Sequence, residues 1–373
     1  MRIGIDARLI EETGVGRYTQ NLIQELGELD KANEYIVFLR KKSFDRFTLP
    51  NRRWKKVLAD VPWHTLTEQF LMLGIFLGER LDLLHVPYFN VPIFYPGKFV
   101  VTIHDLTILH FDTGRATTLP LPLYKLKRLG YWLELAIGLR RAQKILAVSQ
   151  STKQEIIDHF YIDPAKIVVT YEGVDKNVSR ITYHVSRRLI KGPYFLYVGN
   201  AYPHKNLETL LKAFQKFIVY NSQFAGKIKL VLVGPRDYFY ERLSKTIAAT
   251  KLCGRLILSQ NPKTEELSAL YKDAIALVFP SLMEGFGLPG IEAMAMGTPV
   301  VASDIPVFRE IYGDAFLPFN PDSPQDIADK LKRITVDKNL RKNLIDKGRK
   351  QAARYSWRRM AEKTVGVYLK AVI

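Results

Sequence analysis

Two glutamates, Glu284 and Glu292, flank a short stretch that reads Glu-Gly-Phe-Gly-Leu-Pro-Gly-Ile-Glu. An apolar run over 274–279 precedes the stretch and is typical of a buried parallel strand. Glycines let a backbone approach a ligand closely, and Pro289 suits the first turn of a helix that we expect to end at Gly297. The pattern therefore predicts a strand, a glycine turn and a helix N-terminus that faces a ligand.

Backbone N–H groups at the start of this helix predict an anion-binding site formed by Phe286, Gly287 and Leu288. A carboxylate pointed into that site would repel phosphate, so Glu284 is expected beside it, on hydroxyl groups of the ligand. Glu292, one helical turn further on, is expected to accept a hydrogen bond from another hydroxyl. From spacing alone, the alternative is that Glu284 is a loop charge and Glu292 only complements the helix dipole.

Other candidate side chains also follow predicted strands. Lys205 comes after the strand 194–198, where its ammonium could neutralise a diphosphate leaving group. His104 ends the strand that starts at Phe99, and an imidazole can donate or accept a proton near neutral pH. Each has a structural alternative, since exposed lysines and strand-end histidines are common.

A glycine turn is expected near the N-terminus. Gly14 and Gly16 lie ahead of a helix predicted over 17–26, and a charged insertion, 8–12, separates them from the first strand. Position 19 is threonine, so the third glycine of a dinucleotide-binding motif is missing and that interpretation is weak.

Strand-like and helix-like stretches alternate along the whole chain, which predicts parallel sheets with helical crossovers. The pattern is interrupted near 176–192, where we expect an interdomain linker. The sequence therefore predicts two Rossmann-like α/β domains, 1–178 and 190–354. Ligands in such sheets bind beyond the carboxyl ends of the strands.

Composition and sequence motifs argue against several classes of protein. The chain has 373 residues, a net charge of +18 and one cysteine, Cys253, which excludes an intramolecular disulfide and fits a cytoplasmic location. A strand at the very N-terminus argues against a signal peptide, and no apolar run is long enough to span a membrane. Neither a metal-ligand cluster, nor two aspartates separated by one residue, nor a nucleic-acid-binding motif is present in the sequence, so we expect no metal cofactor and no nucleic-acid partner.

Basic residues concentrate in two places. From Asp329 onward there are fourteen Lys and Arg residues against four Asp and Glu. An anionic membrane surface is therefore a candidate partner, and a solvated basic face is the alternative. The tail residues concerned are Lys347, Arg349, Lys350, Arg354, Arg358 and Arg359. An aromatic and basic helix also fits interfacial docking, and the alternative is a helix packed on the sheet with a basic outer face. Its residues are Tyr124, Lys125, Lys127, Arg128, Tyr131 and Trp132.

The run VFPSLMEGFGLPGIEAMAMGTPVVAS resembles the donor-site signature of retaining GT-B glycosyltransferases of family 4, and the resemblance extends from the first strand to about Pro321. It implies two Rossmann-like domains that face each other across a cleft, with 355–373 crossing back to the first domain. It also implies that Glu284 and Glu292 contact the donor sugar and the nucleotide ribose.

The family resemblance assigns roles to the other candidates. TGVGRYTQNL resembles the loop that closes over donor phosphate and acceptor, and His104 matches a histidine that contacts the transferred sugar. In GNAYPHKN, Gly199 and Asn200 lead to Lys205, which matches the family's diphosphate lysine, whereas the arginine that many members place before it is absent. The loop at Asn261 matches the nucleobase-binding loop.

The resemblance implies a hexosyltransferase that needs no cofactor besides its nucleotide sugar, GDP-mannose being the expected donor. The acceptor would be a polyprenyl-linked sugar or an oligosaccharide in surface polysaccharide synthesis, at the inner face of the plasma membrane. Retention could arise by front-face attack or through Glu284 as a nucleophile. Two other functions stay open: a sugar nucleotide 2-epimerase of the same fold, and a non-catalytic partner that binds nucleotide or membrane.

Overall fold

The chain forms two compact units in the computed structural model, one from residues 1–173 and 356–373 and the other from 174–355. The structure describes residues 1–111, 120–174, 189–224, 227–235, 237–248, 252 and 254–373. The linker predicted near 176–192 lies largely outside these residues, and so does Cys253.

A parallel sheet forms the centre of the first unit. Its strands are β1 Arg2–Asp6, β2 Glu34–Leu39, β3 Trp54–Leu58, β4 Leu83–Val86, β5 Phe99–Ile103, β6 Lys144–Ala147 and β7 Ile167–Val169. The order across the sheet is β3-β2-β1-β4-β5-β6-β7, so it reverses between β1 and β4. Such a reversal opens a crevice at the carboxyl ends of the two strands.

Helices connect the strands of this sheet. They are α1 Gly14–Leu29, α2 Lys41–Phe44, α3 Leu66–Gly78, α4 Thr107–His110, α5 Leu121–Arg141 and α6 Gln150–Phe160. A short 3₁₀ turn, Pro164–Lys166, leads into β7. Tyr18, Leu22 and Leu26 of α1 are buried as their spacing predicts. Ser149 caps α6 by accepting from the Thr152 amide, as serine commonly does at a helix start.

The second unit repeats the design with a six-stranded parallel sheet. Its strands are β8 Tyr194–Val198, β9 Lys229–Gly234, β10 Leu256–Gln260, β11 Ala276–Phe279, β12 Val300–Ser303 and β13 Phe316–Phe319. The order is β10-β9-β8-β11-β12-β13, which reverses between β8 and β11. The crevice of this sheet therefore lies where the loops after β8 and β11 meet.

The helices of the second unit include the one that the glycine-rich stretch predicts. They are α7 Leu207–Tyr220, α8 Tyr238–Ala248, α9 Thr264–Asp273, α10 Leu288–Ala295, α11 Pro306–Tyr312, α12 Pro324–Val336 and α13 Lys338–Ala352. Two 3₁₀ turns, Pro203–Lys205 and Ser222–Phe224, flank α7.

The last helix, α14 Trp357–Val372, belongs to the first unit. Its Tyr368 hydroxyl lies 2.6 Å from His85 Nδ1 in β4, and its Trp357 ring meets Tyr18 of α1 edge-on. The basic tail is therefore divided, because Arg354 lies in the second unit and Arg358 in the first.

Two edge strands have no counterpart in the sequence predictions. In β3, Lys55 and Lys56 dilute the apolar pattern of a half-exposed strand. In β13, Pro318 lies inside the strand, a position that argues against a strand except at a sheet edge. Both are outermost in their sheets, where such residues are tolerated.

Candidate active site

The helix α10 begins directly after Gly287, whose φ of +89° lies in the left-handed region. Tyr312 Oη donates to the Gly287 carbonyl at 2.7 Å, and burial raises the pKa of Tyr312 well above its ordinary value, so the phenol stays a donor. A Cβ atom would lie 2.4 Å from Tyr312 Oη at Gly287 and 2.2 Å at Gly290. Close packing against one tyrosine therefore requires both glycines.

The helix start has the features of an anion site. Within this stretch, which the structure describes in full, no side chain caps α10 and its first turn contains no acid. The Phe286 ring packs edge-on against Tyr355 with centroids 5.3 Å apart, and Leu288 is also buried. Their backbones, rather than their side chains, are thus the groups suited to face an anion. Anion binding by Phe286, Gly287 and Leu288 stays a prediction.

An ion pair joins the loops that follow β8 and β11. Lys205 Nζ donates to Glu284 Oε1 at 2.6 Å, and the two side chains are 13% and 12% exposed. The sequence predicts both residues at the site but assigns them to different parts of the ligand. The structure brings them together at the point where the strand order of the second sheet reverses.

The surrounding loops fix this pair in place. The Leu282 amide donates to the His204 carbonyl at 2.8 Å, which ties the β11 loop to the β8 loop. Asn206 adopts a left-handed φ of +58° and donates through its side chain to the Pro321 carbonyl. An ammonium has three N–H donors, so Lys205 can hold Glu284 and still contact an anion.

Glu292 is more enclosed than Glu284. Its side chain is 3% exposed, and Tyr271 Oη donates to Glu292 Oε2 at 3.0 Å. Tyr271 is itself buried, which confirms that it belongs to the core, as the spacing of 267 and 271 on α9 predicts. A contact between Glu292 and a ribose stays a prediction, and it would have to share the carboxylate with Tyr271.

Two tyrosines also fix the loop after β8. Tyr197 Oη donates to the Asn200 carbonyl at 2.7 Å, and Tyr240 Oη donates to the Gly199 carbonyl at 2.9 Å. Asn261, at the end of β10, has a φ of +49°, and its amide donates to the Gly234 carbonyl. These two tyrosines carry no motif, and the sequence analysis did not identify them.

The N-terminal glycines differ from the prediction. Gly14 and Gly16 do not form a turn ahead of the helix, because α1 already begins at Gly14. A Cβ atom on Gly16 would lie 2.5 Å from the Ile10 carbonyl oxygen, whereas nothing lies within 4 Å of one on Gly14. Gly16 therefore lets the first helical turn pack directly on the backbone of the preceding segment, and the helix starts three residues earlier than expected. A role for either glycine in donor binding stays a prediction.

His104 lies just beyond β5, and both of its ring nitrogens face acceptors. Its Nδ1 is 3.1 Å from Glu172 Oε1 and its Nε2 is 3.1 Å from the Pro87 carbonyl oxygen. Its ring meets Tyr18 edge-on at 4.9 Å. A hydrogen bond from His104 to a sugar would thus replace one of these contacts. Glu172 stands in a loop without a motif, so the sequence analysis missed it.

A buried polar network occupies the corresponding crevice of the first sheet. Arg8 Nη2 donates to Asp6 Oδ2 and to Glu68 Oε1, both at 2.6 Å. Asn90, after β4, donates to Glu68 Oε1 at 2.6 Å. Arg8, Asp6 and Glu68 are almost fully enclosed, with side chains 1%, 4% and 0% exposed. The sequence analysis treats Arg8 only as part of a charged insertion.

One acid next to this network is shifted toward its neutral form. Burial, together with the nearby Glu68 carboxylate, raises the pKa of Glu134 to about 7. Gln69 donates to Glu134 Oε1 at 2.9 Å and so connects α3 to α5.

Among the described residues, no three His, Cys, Asp or Glu side chains are placed to hold a metal ion, and no helix is both long and apolar enough to cross a membrane.

Two family models match the chain in succession. Glycosyltransferase Family 4 matches residues 13–178, and Glycosyl transferases group 1 matches residues 183–351. Between them they span most of both units. The fold, the site and these matches define a nucleotide-sugar-dependent hexosyltransferase. The chain belongs to glycosyltransferase family 4.

Curated relatives and solved structures agree with this placement. O-antigen chain mannosyltransferase RfbU of Salmonella typhimurium is 29% identical over 332 residues, which is 86% of this chain and 87% of that protein. O-antigen chain mannosyltransferase B of Escherichia coli is 26% identical and covers 95% of this chain and 96% of its own length. Sucrose-phosphate synthase of Thermosynechococcus elongatus has a TM-score of 0.79 at 19% identity, covering 99% of this chain and 98% of that one. The predicted GT-B fold is confirmed.

Proposed function

We propose that this glycosyltransferase moves mannose from GDP-mannose to a lipid-linked or oligosaccharide acceptor hydroxyl, with retention of anomeric configuration, during surface polysaccharide synthesis. The observation that carries the proposal is the Lys205–Glu284 ion pair at the crevice of the second sheet, next to the start of α10. Mannose as the transferred sugar is supported by the relatives, whose names describe O-antigen chain mannosyltransferases.

In this proposal the second unit binds the donor. The diphosphate lies at the Phe286–Leu288 amides, and the Lys205 ammonium neutralises charge on the leaving phosphate. Glu284 accepts hydroxyl hydrogen bonds from the mannose, Glu292 accepts one from the ribose, and the loops at Asn200 and Asn261 contact the guanosine. Loops fixed by internal hydrogen bonds suit such binding, because little ordering remains when the ligand arrives.

The chemical step exchanges one bond at the anomeric carbon for another. The bond from that carbon to the diphosphate oxygen breaks, the acceptor oxygen bonds to the same face, and the acceptor's proton passes to the leaving phosphate oxygen. The ion pair favours this front-face route over a nucleophilic Glu284, because an ammonium 2.6 Å from Oε1 stabilises the carboxylate charge and makes that oxygen a weaker nucleophile. In the first unit, His104 would exchange its contact with Glu172 or Pro87 for one with the transferred sugar.

A thermal-shift panel of nucleotide sugars tests the donor. GDP-mannose should raise the melting temperature more than UDP-glucose or UDP-galactose does, and GDP alone should account for part of the shift. The Glu284→Ala variant should lose more of its response to GDP-mannose than of its response to GDP, because both ligands contact Lys205 but only GDP-mannose contacts Glu284. Stabilisation by a UDP-sugar with no response to GDP-mannose would overturn the donor assignment.

Incubation of GDP-mannose without acceptor separates the remaining functions. A transferase should leave the sugar's configuration at C2 unchanged and release GDP only slowly, by hydrolysis. An epimerised nucleotide sugar would instead identify an isomerase. Once an acceptor is found, the coupling constant at the anomeric carbon reports the configuration of the new glycosidic bond. A configuration opposite to that of the donor would rule out retention.

A further inference from the structure

Two helices of the first unit expose an unusual amount of apolar surface. On α3, Leu66 is 84% and Phe70 68% exposed, and Leu77 continues the same stripe eleven residues after Leu66. On α5, Leu126 is 66% exposed, with Leu129 and Leu133 beside it. Single exposed apolar residues need no explanation, but contiguous exposed patches mark interaction sites.

Hydrogen bonds fix the two helices to each other and to the loop that follows β4. Gln69 of α3 donates to Glu134 of α5 at 2.9 Å and accepts from the Ile93 amide at 2.8 Å. Arg141, at the end of α5, donates to the carbonyls of Ile93 and Tyr95. The loop between β4 and β5 is therefore fixed to both helices, and it exposes Phe94. We call the resulting surface the α3–α5 face, and it comprises Leu66, Phe70, Leu77, Phe94, Leu126, Leu129 and Leu133.

The charges on these helices are almost entirely of one sign. The only acids in the two helix sequences are Glu68 and Glu134. Both are buried and accept hydrogen bonds from within the protein. The basic side chains, by contrast, are exposed or half-buried, and they are Lys125, Lys127, Arg128, Arg140 and Arg141. The two helices thus combine exposed hydrocarbon with five basic residues against two buried acids.

This combination identifies the partner as an anionic lipid surface. A second copy of the chain would bring the same cations against each other in a symmetric contact. A bilayer interface supplies both hydrocarbon for the leucines and phosphate groups for the cations. The basic helix α13 is different, because none of the strongly exposed large apolar side chains lies in it. It could attract lipid phosphates, but it has no such side chain to insert between the acyl chains.

We propose that the α3–α5 face docks this enzyme on the interface of an anionic bilayer, with Phe70, Phe94 and Leu126 in the acyl boundary and the α5 cations on lipid phosphates. The inference deepens the proposed function, since docking would bring the first unit to a lipid-linked acceptor. The test of docking measures vesicle binding and not enzyme activity. Its failure would leave the proposed function standing, because donor binding is measured separately and without lipid.

Co-sedimentation of the full chain with vesicles tests the proposal. The protein should bind vesicles of phosphatidylcholine mixed with phosphatidylglycerol and should bind pure phosphatidylcholine much more weakly. Phe70→Gln with Leu126→Gln should weaken binding at least tenfold, as should Lys125→Gln with Lys127→Gln, while circular dichroism stays unchanged because all four side chains are exposed. Raising salt should weaken the binding of the parent chain.

Matched control variants carry the same kinds of substitution in the second unit. Val219→Gln with Tyr220→Gln removes two equally exposed apolar side chains, and Lys342→Gln with Lys350→Gln removes two charges from α13. Both controls should bind vesicles like the parent. Loss of binding in the α13 control but not in the Phe70/Leu126 variant would overturn the proposal. So would equal binding to both vesicle types, or a dimer in sedimentation velocity that the Phe70/Leu126 variant abolishes.

Discussion

The two sheets reverse their strand order at equivalent places and use these places differently. In the second unit, Lys205 and Glu284 form an ion pair that keeps some solvent exposure, at 13% and 12%. In the first unit, Arg8 lies between Asp6 and Glu68, with all three side chains nearly inaccessible. The same topology thus holds an accessible pair in one unit and an enclosed network in the other.

The difference separates a ligand-facing role from a structural one. An accessible ammonium can exchange or add partners when an anion arrives, whereas a guanidinium already saturated by two carboxylates has no such freedom. In the first unit, His104 retains some access at 11% exposed, and it follows β5 instead of the strands at the reversal. Substitution should therefore affect turnover in one crevice and folding in the other.

The largest expected effect is on turnover, at Glu284. The Glu284→Ala variant should lower kcat/KM by about a thousandfold or more, because it removes both the sugar contact and the partner that positions Lys205. Initial rates of donor consumption with acceptor present measure this. Glu265→Ala, an exposed glutamate at the start of α9, is the matched control and should leave the rate unchanged. Near-parental turnover of Glu284→Ala would remove this residue from the mechanism.

The next effect is on stability, at Arg8. Replacing it by methionine leaves Asp6 and Glu68 as buried carboxylates without their cation, which should destabilise the first unit by about 3–5 kcal/mol. Arg309→Met is the control, because Arg309 makes bonds of 2.6 and 2.7 Å to Asp304 on the surface. That change should cost about 1 kcal/mol or less.

Urea titration of both variants distinguishes the two pairs. Equal midpoints for Arg8→Met and Arg309→Met would show that the buried ion pairs of Arg8 stabilise the protein no more than a surface pair does. The proposed difference between the two crevices would then be wrong.

The accessible crevice is also the one that the sequence predicts better. Its residues sit in a continuous motif, and the short-range chemistry of Gly287, Pro289 and Gly297 determines where α10 begins and ends. The pairing of Lys205 with Glu284 does not follow from the motif, because it depends on how the β8 and β11 loops meet.

The enclosed crevice depends on long-range contacts that leave no local pattern. Arg8 and Glu68 are sixty residues apart in the chain, and Glu172 reaches His104 from a loop after β7. The sequence predicts a turn at Gly16, because a glycine needed for close packing looks the same in sequence as one needed for a turn. Tertiary packing, which the sequence pattern does not encode locally, decides these cases.

A smaller effect concerns pH, at Glu134 beside the enclosed network. Its pKa is about 7 in the folded protein against an ordinary value of 4.5. Between these values the folded state keeps a proton that the unfolded state has released, so stability falls as pH rises from about 4.5 to 7 and stays reduced above that range. Glu134→Gln should remove this loss and stabilise the protein by about 2–3 kcal/mol at pH 8, with little change at pH 4.

Urea midpoints across the pH range measure this effect. Glu155, whose pKa burial also raises to about 7, provides a separate contribution that should persist in the Glu134→Gln variant. If Glu134→Gln stabilises equally at low and high pH, the gain does not come from the carboxylate's charge.

The smallest expected effect tests whether the first unit has an active residue outside its enclosed crevice. Glu172→Gln preserves an oxygen that can accept from His104 Nδ1 but removes the carboxylate charge 3.1 Å away. If Glu172 positions His104 for the transferred sugar, kcat should fall about tenfold, or about 1.4 kcal/mol, with the donor KM unchanged. His104→Asn should lower kcat further, and adding Glu172→Gln to it should cost nothing more, because the effect of Glu172 passes through His104.

His110→Gln, which replaces a histidine whose ring faces His159, is the control and should keep full turnover. Additive losses in the double variant would mean that Glu172 acts on the fold and not through His104.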